Sequence, residues 1–260
     1  MKEIAKLPTE TARDYALRAI RENIVSLDLE PGTGISENEI AGFLGVSRTP
    51  VREAIQELSK AAVIEIYPQR GSYVALIDST FVEEARFLRK TLDIAVIEEA
   101  CDLATQADID RLEENVALQE FYLQTQAADK IYLLDDEFHK LIYSAAKKET
   151  LHAMRSNIML HFDRVRTLSM KTVKDTKIVG DHRQMLESIK KKDKESCRML
   201  VEKHLSRYHI DEAEMRAAYP QYFKDYQLNV KLNNLICAKQ PNCIYQFGCF
   251  LRLDKANAIC

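Results

Sequence analysis

Between Ser72 and Tyr219 the chain has no proline and a single glycine, Gly180. A sheet-rich stretch of 148 residues would need many turns, and turns need those residue types. If this stretch folds, it folds as helices. Glycine and proline gather instead in residues 31–71 and in the last 41 residues. The chain therefore predicts an N-terminal segment with turns, a long all-helical middle and an atypical tail.

The helix starts follow from side chains that can accept the free N–H groups of a first turn. Thr80-Phe81-Val82-Glu83 reads as a capping box opening a helix to about Ala104. Asp108 caps a helix to about Ala127, and Asp129 caps one to about Ala146. Another runs from Glu149 to Met170. Lys171–Asp175 reads as a loop. Asp175 or Thr176 starts a helix to about Lys191, and Asp193 caps one to about Arg216. Six antiparallel helices with short connections make an α-bundle. Leu112, Val116, Leu118, Phe121, Tyr122 and the methionines read as packing. Lys190–Lys192 and Lys194 read as a solvated junction.

Residues 10–77 read differently. A helix fits Thr11–Ser26, and Leu29–Gly34 is a turn. Ser36-Glu37-Asn38-Glu39 is a second capping box, opening a short helix that Gly45 ends. Ser47 caps a third helix, which tolerates Pro50 in its first turn. Ile64–Tyr67 and Ser72–Leu76 alternate like strands, joined by Pro68–Gly71. Three helices and a hairpin with a glycine corner make a winged helix-turn-helix.

A recognition helix presents its N-terminal side chains to base edges. Here these are Ser47, Arg48, Thr49 and Arg52. Arg48 and Arg52 share a face, with Val51, Ile55 and Leu58 opposite. An arginine suits the O6/N7 edge of guanine. On spacing alone, a plain surface helix with two solvated arginines fits as well. The run PGTGISENEIAGFLGVSRTPVREAIQELSKAAVIEIYPQRGSYV at residues 31–74 closely resembles the winged helix of GntR-family bacterial transcription regulators. The resemblance implies that Arg48 and Arg52 read bases and that Ser47 and Thr49 hold the backbone. It places Gly71 at the wing tip near the minor groove, with Arg70 on phosphate. Asn38 stands where some members carry arginine, and it would reach a phosphate without charge.

Behind that run come Phe87–Asp93, Asp135–His139, Asp181–Ile189 and Met199–Leu205. Their order and spacing, from about Asp78 to Phe223, resemble the FCD effector domain of the FadR-type branch. Asp135 and His139 are i,i+4 on one helix and point the same way. His182 and His204 lie on two others. An isolated Asp-x3-His pair is usually an ordinary surface pair, but the resemblance supplies all four positions. One carboxylate and three imidazoles suit a divalent transition metal: zinc, nickel, manganese or iron. The resemblance also places Arg89 in the pocket, where it would pair with an effector carboxylate, oriented by Asp93. A plain i,i+4 salt bridge is the alternative. Arg164 and Arg166 lie on different sides of their helix, so one of them can face the pocket, but either reads better as solvated.

The expected domains are 1–77 (winged helix-turn-helix, DNA-binding), 78–223 (helical, effector-binding and dimerising) and 224–260. Net charge is −3, and no large block is strongly basic, so DNA contact rests on a few placed residues. The tail holds Cys237, Cys243, Cys249 and Cys260 at spacings that match no zinc module. A poorly packed extension, a non-native reading frame and a thiol site stay open. No uncharged apolar run approaches the roughly 18–20 residues that span a bilayer, and no signal-peptide core opens the chain. The expectation is therefore a cytoplasmic homodimer on a palindromic double-stranded operator. It is not an enzyme and not a membrane protein, and it acts as a repressor controlled by a small carboxylate. A metal-dependent enzyme using the three-His/one-Asp site, and a DNA-binding module whose helices only dimerise, are the competing readings.

Overall fold

The computed structural model describes residues 1–125, 127–172 and 177–224. The tail after Lys224 and the helix start expected at Asp175 or Thr176 lie outside the described residues.

The first helix, α1 (Ala12–Val25), starts where the Thr11 hydroxyl accepts from the Asp14 N–H at 3.1 Å. Its apolar face, Tyr15, Ala16, Ala19, Ile20 and Ile24, packs in one core with the inner face of α3 (Arg48–Lys60). Val51, Ile55 and Leu58 of α3 are buried as expected. Between them lies α2 (Glu37–Leu44), capped by Ser36, whose Oγ accepts from the Glu39 N–H at 3.3 Å. It ends on Gly45 at φ +66°, a left-handed conformation that costs other residues about 1–2 kcal/mol. Ser47 holds the N-cap of α3, but its hydroxyl makes no capping bond.

Three antiparallel strands complete the winged helix: β1 (Gly34–Ile35), β2 (Ile64–Tyr67) and β3 (Gly71–Val74), in the order β1-β3-β2. Gly34 faces Tyr73 across β1/β3, and Tyr67 faces Gly71 across β2/β3. Two residues are too few to show alternation, so β1 is invisible in the sequence pattern. At the wing tip the Arg70 N–H donates to the Tyr67 carbonyl at 3.0 Å, and Gly71 sits at φ +101°.

The remaining helices are α4 (Ser79–Leu103), α5 (Gln106–Gln124), α6 (Ala128–Ala145), α7 (Glu149–Met154), α8 (Ser156–Thr172), α9 (Lys177–Lys190) and α10 (Lys194–Ala218). Among the described residues, seven helices replace the expected six because the segment from Glu149 breaks at Arg155, whose guanidinium docks 5.1 Å from the Tyr143 ring centre. Lys171 and Thr172 extend α8 instead of starting a loop. Caps also shift by a few residues. Asp78, not Thr80, caps α4 by accepting from the Thr80 N–H at 3.0 Å. The start of α6 lies before Asp129, at Ala128. Asp193 caps α10 as expected.

Thr105 caps α5, and Asp108 is its capping-box partner three residues on. The Thr105 Oγ1 accepts from the Asp108 N–H at 3.3 Å, while Asp108 Oδ2 accepts from the Thr105 N–H at 3.0 Å. Thr105→Ala is expected to lower stability by about 1 kcal/mol, seen as an earlier urea midpoint at unchanged slope. An unshifted midpoint would show that the box contributes nothing.

The apolar face of α4 runs through Val82, Ala85, Val96, Ile97 and Ala100, and joins Leu112, Val116, Phe138, Met185 and Leu186 in the bundle core. Leu118 and Phe121, read as packing, are instead exposed, because Asn115 and Gln119 take the inward face of α5. Met159, Met185 and Met215 are buried, whereas Met154 and Met199 are exposed.

The winged helix and the bundle share contacts. Leu160 of α8 sits in the winged-helix core, and Leu27 and Ile77 sit in the bundle core. Ile77 also pairs with the segment after α10. Its N–H donates to the Tyr222 carbonyl at 2.8 Å, and the Lys224 N–H returns to the Ile77 carbonyl at 3.0 Å.

Candidate metal centre and nucleic-acid interface

All four residues read as metal ligands converge. Asp135 and His139 come from α6, His182 from α9 and His204 from α10, and all are buried. Each sits on the apolar stripe of its helix, so ordinary core packing brings it inward. Their four donor atoms lie within 4.8 Å of one another. Two opposed bonds of about 2.0–2.2 Å span roughly 4.0–4.4 Å, so the set is close to a coordination shell.

Hydrogen bonding settles which nitrogen of His182 points inward. Nδ1 of His182 lies 2.8 Å from Gln119 Oε1. The Gln119 amide donates to Asn115 Oδ1 at 2.6 Å, so its oxygen is the acceptor and His182 Nδ1 carries the proton. That leaves the lone pair on His182 Nε2, 3.5 Å from Asp135 Oδ1. His139 Nδ1 faces Asp93 Oδ2 and His204 Nδ1 faces Asp181 Oδ2, each at 3.7 Å. Nε2 of His139, Nε2 of His182 and Nδ1 of His204 are buried with no hydrogen-bond partner. Orphaned buried nitrogens are costly unless something accepts their lone pairs. A metal held there would accept those lone pairs, with Gln119 fixing the tautomer of His182. The residues present fit such an ion. Burial holds His139 and His182 well below the ordinary imidazole range, and His204 below it, which keeps all three neutral as ligands must be.

Asp181 was legible only as part of a motif. It accepts from Arg207 Nε at 2.8 Å and pairs with Lys203 Nζ at 3.0 Å. The His204 imidazole first, and then Lys203 and Arg207, outweigh its burial and hold its carboxyl well below the usual range. Phe138 stacks on His182 with ring centres 4.3 Å apart, closing the centre from one side.

Arg89 is buried on α4 and donates from Nε to Asp93 Oδ2 at 3.1 Å. Tyr143 donates its hydroxyl to the other Asp93 oxygen at 2.8 Å. Arg89, Asp135 and His204 line one cavity of about 60 Å³ together with Arg166, Ser169 and Arg207. The sequence reading of Arg164 and Arg166 as solvated is corrected: both are turned inward. Arg166 pairs with Asp135 and with Asp163, and its guanidinium lies 5.2 Å from the Tyr132 ring centre. Arg164 donates to the Ala75 carbonyl at 2.7 Å. Helix α8 is covered by the bundle on one side and the winged helix on the other, so it lacks the polar face that periodicity would assign it.

In the winged helix, Asn38, Ser47, Arg48, Thr49, Arg52, Arg70 and Gly71 are all exposed. Ser47, Arg48, Thr49 and Arg52 occupy the N-terminal turns of α3, and Arg70 and Gly71 the wing tip. Sequence reasoning missed Glu37, which pairs with both Arg48 and Arg52.

A winged helix joined to a helical bundle with a buried ligand-like cluster defines a DNA-binding regulator. Residues 13–74 match the family model described as bacterial regulatory proteins, gntR family, and residues 84–207 match the FCD domain. The HTH-type transcriptional repressor RspR of Escherichia coli (strain K12) is 29% identical over 219 residues, covering 84% of this chain and 96% of that protein. The gluconate operon transcriptional repressor of Bacillus subtilis (strain 168) is 27% identical over 199 residues, covering 74% and 80%. Among solved structures, E. coli McbR/YncC shares the fold at 19% identity, with a TM-score of 0.70, over 81% of this chain and all of that one. The chain belongs to the GntR family of transcription regulators, with an FCD domain behind its winged helix. It is a DNA-binding regulator, and the metal-dependent enzyme reading is set aside. No helix among the described residues is long and apolar enough to cross a membrane.

Proposed function

We propose that the protein is a cytoplasmic, homodimeric repressor of a metabolic operon. A small organic acid, bound beside a divalent transition metal in the helical domain, controls its grip on a palindromic operator. Residues 1–77 read DNA and residues 78–223 hold the metal, the effector and the dimer contact. Asp135, His139, His182 and His204 hold the metal, which would offer open positions to a carboxylate. Arg48 and Arg52 read bases. Ser47, Thr49, Asn38 and Arg70 hold the backbone, and Gly71 approaches the minor groove.

The observation that carries this reading is the shared cavity. Two members of the tetrad, Asp135 and His204, line it together with Arg89. An acid entering there meets a guanidinium and the metal-facing donors at once. Two relatives are named repressors, one of them of the gluconate operon, which agrees with a repressor answering to an organic acid.

Selection of genomic fragments by the full chain loaded with metal tests the reading. The expected result is a short palindrome near a few promoters, released by an acid from the neighbouring pathway. A palindrome whose binding no acid and no chelator alters would remove the effector and metal from the reading. On the selected duplex, Arg52→Ala is expected to cost about 1–3 kcal/mol of binding with unchanged thermal unfolding. Wild-type affinity would end its base-reading role.

A further inference from the structure

Arg48 and Arg52, the two arginines at the reading end of α3, share one carboxylate. Glu37 is the first residue of α2, and its side chain crosses to α3. Its Oε2 accepts from Arg48 Nε at 3.0 Å and Nη2 at 2.9 Å, and from Arg52 Nη2 at 3.0 Å. Its Oε1 accepts from Arg52 Nε at 3.1 Å. The Glu37 side chain is 24% exposed, whereas those of Arg48 and Arg52 are 55% and 54% exposed. The carboxylate is therefore the more sheltered partner, and the two guanidinia are the more exposed.

We propose that Glu37 is the specificity-determining partner of the reading arginines: it fixes where both guanidinia point and weakens their attraction to phosphate of any sequence. The inference rests on α3 entering the major groove.

The donor geometry carries it. A guanidinium offers five N–H groups in a rigid fork. Glu37 takes the Nε/Nη2 side of each fork. The Nη1/Nη2 end stays available, and that end makes a bidentate contact with the O6/N7 edge of guanine. An arginine free in solution samples many rotamers and loses that freedom on binding, whereas one already held by a second bond loses less. Charge works in the same direction. Non-specific binding comes from cations releasing the counterions of phosphate, and it ignores sequence. One carboxylate between two guanidinia removes half of their net charge, so non-specific binding weakens while the aligned end still meets a base. The two arginines in turn, Arg52 foremost, hold the Glu37 carboxyl below its usual range, so it stays ionised at neutral pH.

The test uses the full chain and a randomised 30-base-pair duplex pool, with wild type and Glu37→Gln selected in parallel. Affinities for the enriched duplex and for an unrelated duplex are then measured across salt. Glu37→Gln keeps the shape but not the charge, and circular dichroism confirms that it folds. The expected result is about tenfold tighter binding of the unrelated duplex near 0.1 M salt, with a salt slope steeper by about one charge. The ratio of specific to unrelated affinity is expected to fall by a similar factor or more, and the enriched sequence to blur at the positions under Arg48 and Arg52. If wild type enriches a palindrome and Glu37→Gln matches it in sequence, ratio and slope, the role of Glu37 is refuted while α3 keeps its reading role. If wild type enriches nothing, the reading of α3 fails and the inference falls with it.

Discussion

From pH 7 to pH 5 the folded chain is expected to lose about 2 kcal/mol of stability through His161 alone. His161 is buried on α8, stacked on Phe81 with ring centres 4.7 Å apart. Its Nε2 lies 2.8 Å from the Ala61 carbonyl of the winged helix, and its Nδ1 lies 3.3 Å from Arg164 Nη2. A guanidinium only donates, so Nδ1 accepts and Nε2 carries the single proton. A second proton would face Arg164 with no acceptor in place. Burial first, and then the charge of Arg164, lowers the pKa to about 4. The unfolded imidazole titrates near 6.5. Between those values the unfolded chain binds a proton that the folded chain refuses. Stability is therefore full above about 6.5 and falls as pH drops toward 4. His139, His182 and His204 change stability in the same direction, so the diagnostic quantity is a difference. His161→Gln keeps a donor and an acceptor but does not titrate. Urea unfolding of both proteins at pH 7 and pH 5 should show the wild type losing about 2 kcal/mol more than the variant. Equal losses would mean that His161 is protonated in the folded protein.

The location of that histidine shows where sequence reasoning stops. The helical middle was legible because a long stretch without glycine or proline has few alternatives, and the winged helix because Ser36, Gly45 and Pro68–Gly71 punctuate it. The tetrad was legible only through the family resemblance, because Asp135-x3-His139 alone looks like an ordinary surface pair; the structure adds that Asp135, His139, His182 and His204 are all buried together. Arg89 and Asp93 are likewise buried on α4, between Ala85 and Val96. The buried polar side chains of α8 were not legible, because its partners come from both sides. His161 and Arg164 reach the backbone carbonyls of Ala61 and Ala75, at separations of 100 and 89 residues. No local pattern announces an acceptor that far away. Gln119 and Asn115 were missed for a related reason. They look like the polar face of α5, yet they point inward, and Leu118 and Phe121 take the exposed positions. Glu37 was read only as the start of a helix, since its partners lie 11 and 15 residues on, across the helix-turn-helix corner.

These placements connect the two halves of the molecule. One side of α8 lines the cavity through Phe162, Val165, Arg166 and Ser169, and another meets the winged helix through Leu160, His161 and Arg164. An occupant that binds one placement of α8 better than another would change DNA affinity by that difference in binding and no more.

His182→Ala is expected to abolish that occupancy at its base. The wild-type chain, stripped with a chelator and titrated with zinc or manganese, should take up one ion per chain. With free metal at about 100 times the dissociation constant it should gain about 2.7 kcal/mol of stability. The gain arises because unfolded ligands are dispersed over α6, α9 and α10 and bind poorly. Loss of the His182 imidazole leaves Asp135, His139 and His204, and removes the donor that Gln119 and Phe138 hold in place. Affinity should fall by more than about 100-fold, the upper end for loss of an outer-sphere partner. Gln119→Leu should act within that outer range, about 10–100-fold, because it frees the ring without removing it. Unchanged metal content in His182→Ala would sink the centre altogether. Loss in His182→Ala but none in Gln119→Leu would keep the ion and remove the account of how its histidine is aimed. Both variants should still bind unrelated DNA like wild type, since Arg48 and Arg52 lie on the other domain. A shared loss of that binding would instead report a fold damaged throughout.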